Sequence, residues 1–267
     1  MSRVTERAYS ELQQAFDYYN QRLFNGALPD CLITFQRGRN TMGYFSYRRF
    51  VAADGSGKEI DEIALNPEYF PVYPLIEVMQ TLVHEQCHMW QFHFGSPSRR
   101  TYHNEEWAAK MEEIGLMPSS TGFPGGNRTG QKINDYPIPG GAFQRATLEL
   151  FTGAFAISWF DRYPVVVGDQ KDLSAVMAEW RETLTQAENT GYQDAESVLA
   201  MALVPSVIAT AQENAGEHAA SFQDKPRRGK TKYACPGCNN AVWGKPGMRI
   251  SCGDCGKPFT ETNLPAE

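Results

Sequence analysis

The chain has 267 residues, 42% of them hydrophobic, and a formal net charge of -6. That length and apolar content suit one domain of good size plus a smaller module, so a folded protein is expected. An evenly spread negative charge would argue against nucleic acid as a partner, but the charge is uneven. Between Lys225 and Lys257 eight Lys or Arg face one acid, Asp254, which makes a +7 tail on a -13 body. Such asymmetry marks a basic interaction tail.

The first residues, MSRVTERAYSELQQ, have no apolar stretch with a cleavage site, so no secretory signal is visible and a cytoplasmic location is expected. Residues 5 to 24 place Leu12, Phe16, Tyr19 and Leu23 on one helical face, and NGALPD then stops the helix. CLITFQ, TMGYFSYRRF and EIDEIALN read as strands, with DGSGKE as the turn before the third. A long helix is predicted from about Pro74 to Phe94, with proline in its first turn where a missing N–H costs nothing. GSPSRR breaks it. Asn104 then caps a second helix, whose Trp107, Met111 and Ile114 share a face.

From Ser119 to Gly141 the chain is rich in Gly and Pro and reads as a surface loop on the domain. ATLELFTGAFAISWFDRYPVVV resumes apolar character and is read as a final strand or two. DLSAVMAEWRETL aligns Leu173, Val176, Met177, Trp180 and Leu184 as a helix. Residues 186 to 232 have a linker's composition. The longest apolar run, SVLAMALVPSVIATA at 197 to 211, has 15 residues and contains Pro205. It falls short of the roughly 20 residues a membrane helix needs, so no membrane partner is expected.

Four of the five histidines lie in HEQCHMWQFHFGSPSRRTYHNEEW, residues 84 to 107. On a helix, His84 and His88 stand about 40° apart on neighbouring turns, so their imidazoles can converge on one ion. Glu85 sits beside them, placed to take a proton from a metal-activated water. This is the H-E-x-x-H logic of zinc peptidases. His93 is half a turn off that face if the helix continues. A metzincin would have glycine at 91 and histidine at 94, where this chain has Gln91 and Phe94. His103, past the GSPSRR break, can swing back as the third ligand, and the positive end of its helix favours the neutral imidazole a ligand must be. Glu105 and Glu106 remain rivals. Cys87 reads as a buried structural thiol without a catalytic role.

TLVHEQCHMWQFHFG and YHNEEW, with YYNQRLFNGALPD and TMGYFS upstream, resemble the SprT-like metallopeptidase family over about residues 9 to 117. The resemblance implies His84, His88 and His103 as ligands of a catalytic zinc and Glu85 as catalytic base. It implies an α+β, zincin-like fold, with helices on a small sheet of three to four strands. It also implies a link to DNA-bound protein substrates. Residues 119 to 224 match no feature of that family.

CPGCNNAVWGKPGMRISCGDC supplies Cys235, Cys238, Cys252 and Cys255 in a C-x2-C-x13-C-x2-C pattern, which fits a closed tetrahedral structural zinc. A module this small depends on its metal to fold. Its Lys and Arg alternate with Tyr233, Trp243 and Phe259, which favours contact with phosphates and unstacked bases over a purely structural cap.

These readings predict a metallopeptidase domain over 1–165, a helical and flexible linker over 166–232 and a zinc ribbon over 233–260. The expected function is endoproteolysis of DNA-bound or DNA-crosslinked proteins, with protein as substrate and single-stranded or junction DNA as partner. The strand EIDEIALN, just before the long helix, is expected to form the cleft edge to which an extended substrate adds. Alternatives are a regulatory protease that cuts one repressor-type partner and a non-enzymatic DNA-binding scaffold.

Overall fold

A computed structural model describes residues 3–38, 41–153, 155–165, 180–181, 183–185 and 231–262. The chain divides into two compact units, Met1–Ala215 and Gly216–Glu267. The first mixes helices with small sheets, an α+β arrangement, and the described residues of the second form a three-stranded sheet. Most of the helix read over 172 to 184, the linker and the apolar run at 197 to 211 lie outside the described residues. No helix among those described is long and apolar enough to cross a membrane.

The first unit opens with α1 (Val4–Leu23), which buries the face carrying Leu12, Phe16, Tyr19 and Leu23. Three strands follow: β1 (Cys31–Phe35), β2 (Gly43–Val51) and β3 (Glu59–Leu65). Their lateral order is β1-β3-β2, with β1 parallel and β2 antiparallel to β3. The expectation that EIDEIALN forms the cleft edge is therefore wrong. β3 is the central strand, and from Asp61 to Leu65 every residue is buried. Such a continuous run marks a strand covered on both faces. The edge is β2, half-exposed along its length and bulged between Ser46 and Phe50, where Arg48 turns to positive φ.

Helix α2 (Leu75–Phe94) packs on the sheet and α1, and Gln86 donates from its side chain to the Phe16 carbonyl at 2.9 Å. Helix α3 (Glu105–Glu113) starts at Asn104, whose Oδ1 accepts from the Trp107 N–H at 3.1 Å. Trp107, Met111 and Ile114 are all buried, as their spacing predicts.

The segment read as a surface loop is more than that. Within it β5 (Asn134–Pro137) pairs antiparallel with β4 (Leu116–Ser119), which leads into the segment. The start of the next stretch, read as strands, belongs to helix α4 (Ala142–Thr152), and its described residues from 155 to 165 form no strand. Its buried Phe143, Ala146, Thr147, Leu150 and Phe151 follow the 3.6-residue period, which decides the matter over apolar content. The buried Tyr19 and Thr147 hydroxyls meet at 3.0 Å and join α4 to α1. Trp180 and Leu184 also belong to this core.

Gly115 closes α3 onto α4 at φ +91°, and a β-carbon there would lie 2.6 Å from the Phe143 backbone nitrogen. Gly115→Ala combines backbone strain of about 1–2 kcal/mol with overpacking of about 1–3 kcal/mol. It should lower stability accordingly in denaturant titration.

In the second unit, β6 (Thr231–Ala234) lies between β7 (Ala241–Gly244) and β8 (Thr260–Thr262), antiparallel to both. Tyr233 is its main buried ring, and its hydroxyl meets the Glu261 carboxylate at 2.8 Å.

Candidate metal centre

The third and fourth turns of α2 carry His84 and His88. His103 is brought to them by the loop that follows α2. Gln91 donates to Asn104 Oδ1 at 2.7 Å and to Glu106 Oε2 at 2.8 Å, and the same Glu106 oxygen accepts the Ser96 N–H at 2.6 Å. These contacts hold α3 against the end of α2. His103 is further fixed by paired backbone hydrogen bonds with Gly130, at 2.8 and 3.0 Å.

One ligand nitrogen from each of His84, His88 and His103 lies within 4.8 Å of the others. His88 Nε2 and His103 Nε2 are 3.1 Å apart. Tetrahedral zinc with bonds of 2.0–2.1 Å sets its nitrogens about 3.3 Å apart. The other ring nitrogens are engaged. His84 Nδ1 is 2.7 Å from Asp135 Oδ2, and His103 Nδ1 donates to the Gly130 carbonyl at 3.1 Å. Those bonds turn the Nε2 atoms of His84 and His103 inward, as the outer partners of metal-bound imidazoles do. Beneath the trio lies fully buried Trp107, its ring centroid 4.3 to 5.2 Å from the three imidazoles.

Burial, reinforced by its neighbours His84 and His103, holds the His88 pKa well below the usual imidazole range. Burial and the charge of His84 likewise lower His103 to about 4. Both are therefore neutral at physiological pH, as ligands must be. At His84 burial again opposes the charged form, but the Asp135 hydrogen bond and the Glu85 and Asp135 charges outweigh it and raise the pKa. Glu85 is buried in the site, and desolvation raises its carboxyl above the ordinary range despite the charge of His84 and a hydrogen bond from the Phe45 backbone. The chemistry of this donor set fits zinc.

The rival carboxylates turn elsewhere, Glu105 to Arg128 and Glu106 to Gln91 and Ser96. His93 binds the buried Asp61 carboxylate at 2.6 Å, away from the trio. Cys87 is fully buried, its thiol 3.8 Å from the Trp107 carbonyl and raised well above its usual range by desolvation. Sequence reasoning missed Asp135 and Gly130. A signal for the first existed, since Asp135 is the only acid between Glu113 and Glu149. Nothing in the sequence marks the Gly130 carbonyl.

In the second unit the sulfurs of Cys235, Cys238, Cys252 and Cys255 all lie within 4.8 Å of one another. Separations of 3.6, 3.8 and 3.9 Å are seen for three of the pairs. Zn–S bonds of 2.3 Å in a tetrahedron predict about 3.8 Å. Backbone hydrogen bonds from Cys238 and Gly237 pull the Cys235 thiol down to about 7. The arrangement is consistent with zinc.

A model of the SprT-like family matches residues 12–128. A protein of Salmonella typhimurium, described as an uncharacterized protein in the mucB 3′ region, is 51% identical over 59 residues, which cover 22% of this chain and 78% of that protein. No solved structure matches the chain. The chain belongs to the SprT-like family.

Replacing Asp135 by Asn removes the carboxylate that orients His84. It should lower zinc affinity at the histidine site by about 10- to 100-fold, measured by competition with a chromogenic chelator, whereas His93→Ala should leave that affinity unchanged.

Proposed function

We propose that this SprT-like protein is a zinc-dependent endopeptidase that acts on DNA-bound proteins. The observation that carries the reading is the meeting of three imidazole donors with the buried Glu85 carboxylate in a cleft bordered by edge strand β2. In this reading the peptidase domain spans residues 1–165, in a zincin-like arrangement, with Trp180 and Leu184 of the following segment packed into its core, and residues 166–232 lead on to the ribbon at 233–260.

His84, His88 and His103 hold the catalytic zinc, and the four cysteines hold a structural one. Bound there, zinc supplies Lewis acidity that activates water near neutral pH. Glu85 accepts the proton that the attacking water gives up and delivers it to the departing amine. Its burial raises its proton affinity, which suits it to hold that proton between the two transfers. The outer edge of β2 receives an extended substrate as an added strand, so side-chain selectivity from main-chain contacts is low.

Such a peptidase needs restraint, and the ribbon offers it. Trp243 is 60% exposed on β7, with Lys232 Nζ 5.8 Å from its ring centroid, in the middle of the +7 tail. A cation beside an open indole suits phosphate and an unstacked base, which favours single strands or junctions. Tethering there raises the local concentration of DNA-bound proteins at the cleft.

Glu85→Gln should retain two zinc ions per chain by elemental analysis yet cut neither a peptide nor a protein–DNA conjugate that the wild type cleaves. Retained cleavage would remove Glu85 from the mechanism.

A chain ending near Asp224 should hold one zinc and still cleave a free peptide, but lose affinity for single-stranded DNA. In the full chain that affinity should fall steeply with salt and vary little with sequence. Equal DNA binding by both forms would reduce the ribbon to a structural cap.

A further inference from the structure

The cleft has two arms that meet at His84 and Glu85, and their charges differ. The larger, of about 1080 Å3, runs along β2 from Gly43 past Tyr47 and is lined by Arg49, Arg99, Arg100 and Lys132. Among the described residues its only carboxylate is Glu85. The smaller arm, of about 420 Å3, runs past Met42, Tyr73 and Phe123. Among the described residues no Lys or Arg lines it, and it contains Glu77 and Asp135. In a body of -13, four cations on one wall are a local reversal of sign.

Little neutralises those cations. Arg49 stands 3.9 Å from Glu62, a buried carboxylate that also accepts the Thr34 hydroxyl at 2.6 Å. Arg99 lies over the Tyr102 ring at 5.2 Å. Among the described residues no carboxylate is within ion-pair distance of Arg99, Arg100 or Lys132. Like charges in a concave, low-dielectric wall focus potential on whatever enters it.

The direction of β2 gives this polarity a chain sense. Met42 borders the smaller arm, Thr41 and Gly43 both arms, and Tyr44 to Tyr47 with Arg49 the larger one. β2 therefore runs from the smaller arm into the cationic one. A strand added antiparallel, the more stable and commoner pairing, runs the opposite way and lays its N-terminal part along the cations.

We infer that the cleft sorts substrates by charge, taking an extended segment whose acidic side chains lie N-terminal to the bond that is cut. This rests on the peptidase reading above. A nucleic-acid strand would meet the same cations, but among the described rings that line the larger arm only Tyr44 has no ring or cation packed on it. Phe92 packs on Phe45 and Tyr47 at 5.4 and 5.1 Å, and Arg48 and Arg99 cover Tyr47 and Tyr102. Bases would find one open stacking platform where a bound strand uses several, whereas carboxylates need only the exposed cations.

The test uses the full-length, zinc-loaded Glu85→Gln protein and three fluorescent peptides of one sequence, with three glutamates N-terminal to the cleavable bond, three C-terminal to it, or none. Anisotropy should show about tenfold tighter binding of the first peptide than of the neutral one at low salt, with the difference shrinking at high salt. Joint Arg100→Glu and Lys132→Glu substitution, at exposed positions, should abolish or reverse the preference. The kcat/KM values of the wild-type chain should rank the peptides in the same order. Equal binding of all three, or preference for glutamates on the C-terminal side, would overturn the inference while leaving the peptidase reading intact. Cleavage of none of them would count against that reading, and the binding measurement would still report charge sorting separately. Loss of oligonucleotide affinity in the doubly substituted chain, with peptide preference unchanged, would assign the arm to nucleic acid and overturn the inference.

Discussion

The buried side-chain amide of Gln91 is the contact on which the histidine site depends. One amide donates to both the cap of α3 and the Glu106 carboxylate, which in turn accepts the Ser96 N–H. A buried amide with its donors satisfied holds its partners firmly, because releasing either leaves a polar group unpaired in the interior. It thereby fixes the chain between α2 and α3, and with it the approach of His103 to His84 and His88. The site is assembled by packing two helices together.

The outer partners of the imidazoles come from the segment between α3 and α4. Asp135 on β5 orients His84, and the Gly130 carbonyl orients His103. Strand β5 is held by β4, which follows α3 directly. A stretch rich in Gly and Pro thus wraps back over the donors that precede it. The buried Trp107 ring packs against all three imidazoles. The cleft polarity has a similar origin, since its cations come from β2, the loop after α2 and the loop before β5, which meet only in three dimensions.

The two candidate metal sites differ in how far they depend on the rest of the fold. The cysteines sit in two tight turns bordered by a three-stranded sheet, and close pairing of sulfurs is nearly a local property. The histidines draw on four elements and a hydrophobic core that runs from α1 to α4. A change in that core reaches the histidines, whereas the cysteines depend on their turns and their metal.

What the sequence by itself determined is whatever short-range spacing dictates. The i, i+4 pair His84 and His88, the turns of Cys235–Cys238 and Cys252–Cys255, the Asn104 cap and the faces of α1, α2 and α3 all follow from helical or turn periodicity over a few residues. The tertiary structure alone decided which strand lies at the edge, because lateral order depends on pairing between distant segments, and β3 took the centre although it is nearest in sequence to α2. It likewise decided that residues 134–137 pair as a strand carrying Asp135, and that an apolar run after residue 141 is a helix. Those outcomes depend on which faces other elements leave to be covered, and that information is not local to any stretch of the chain.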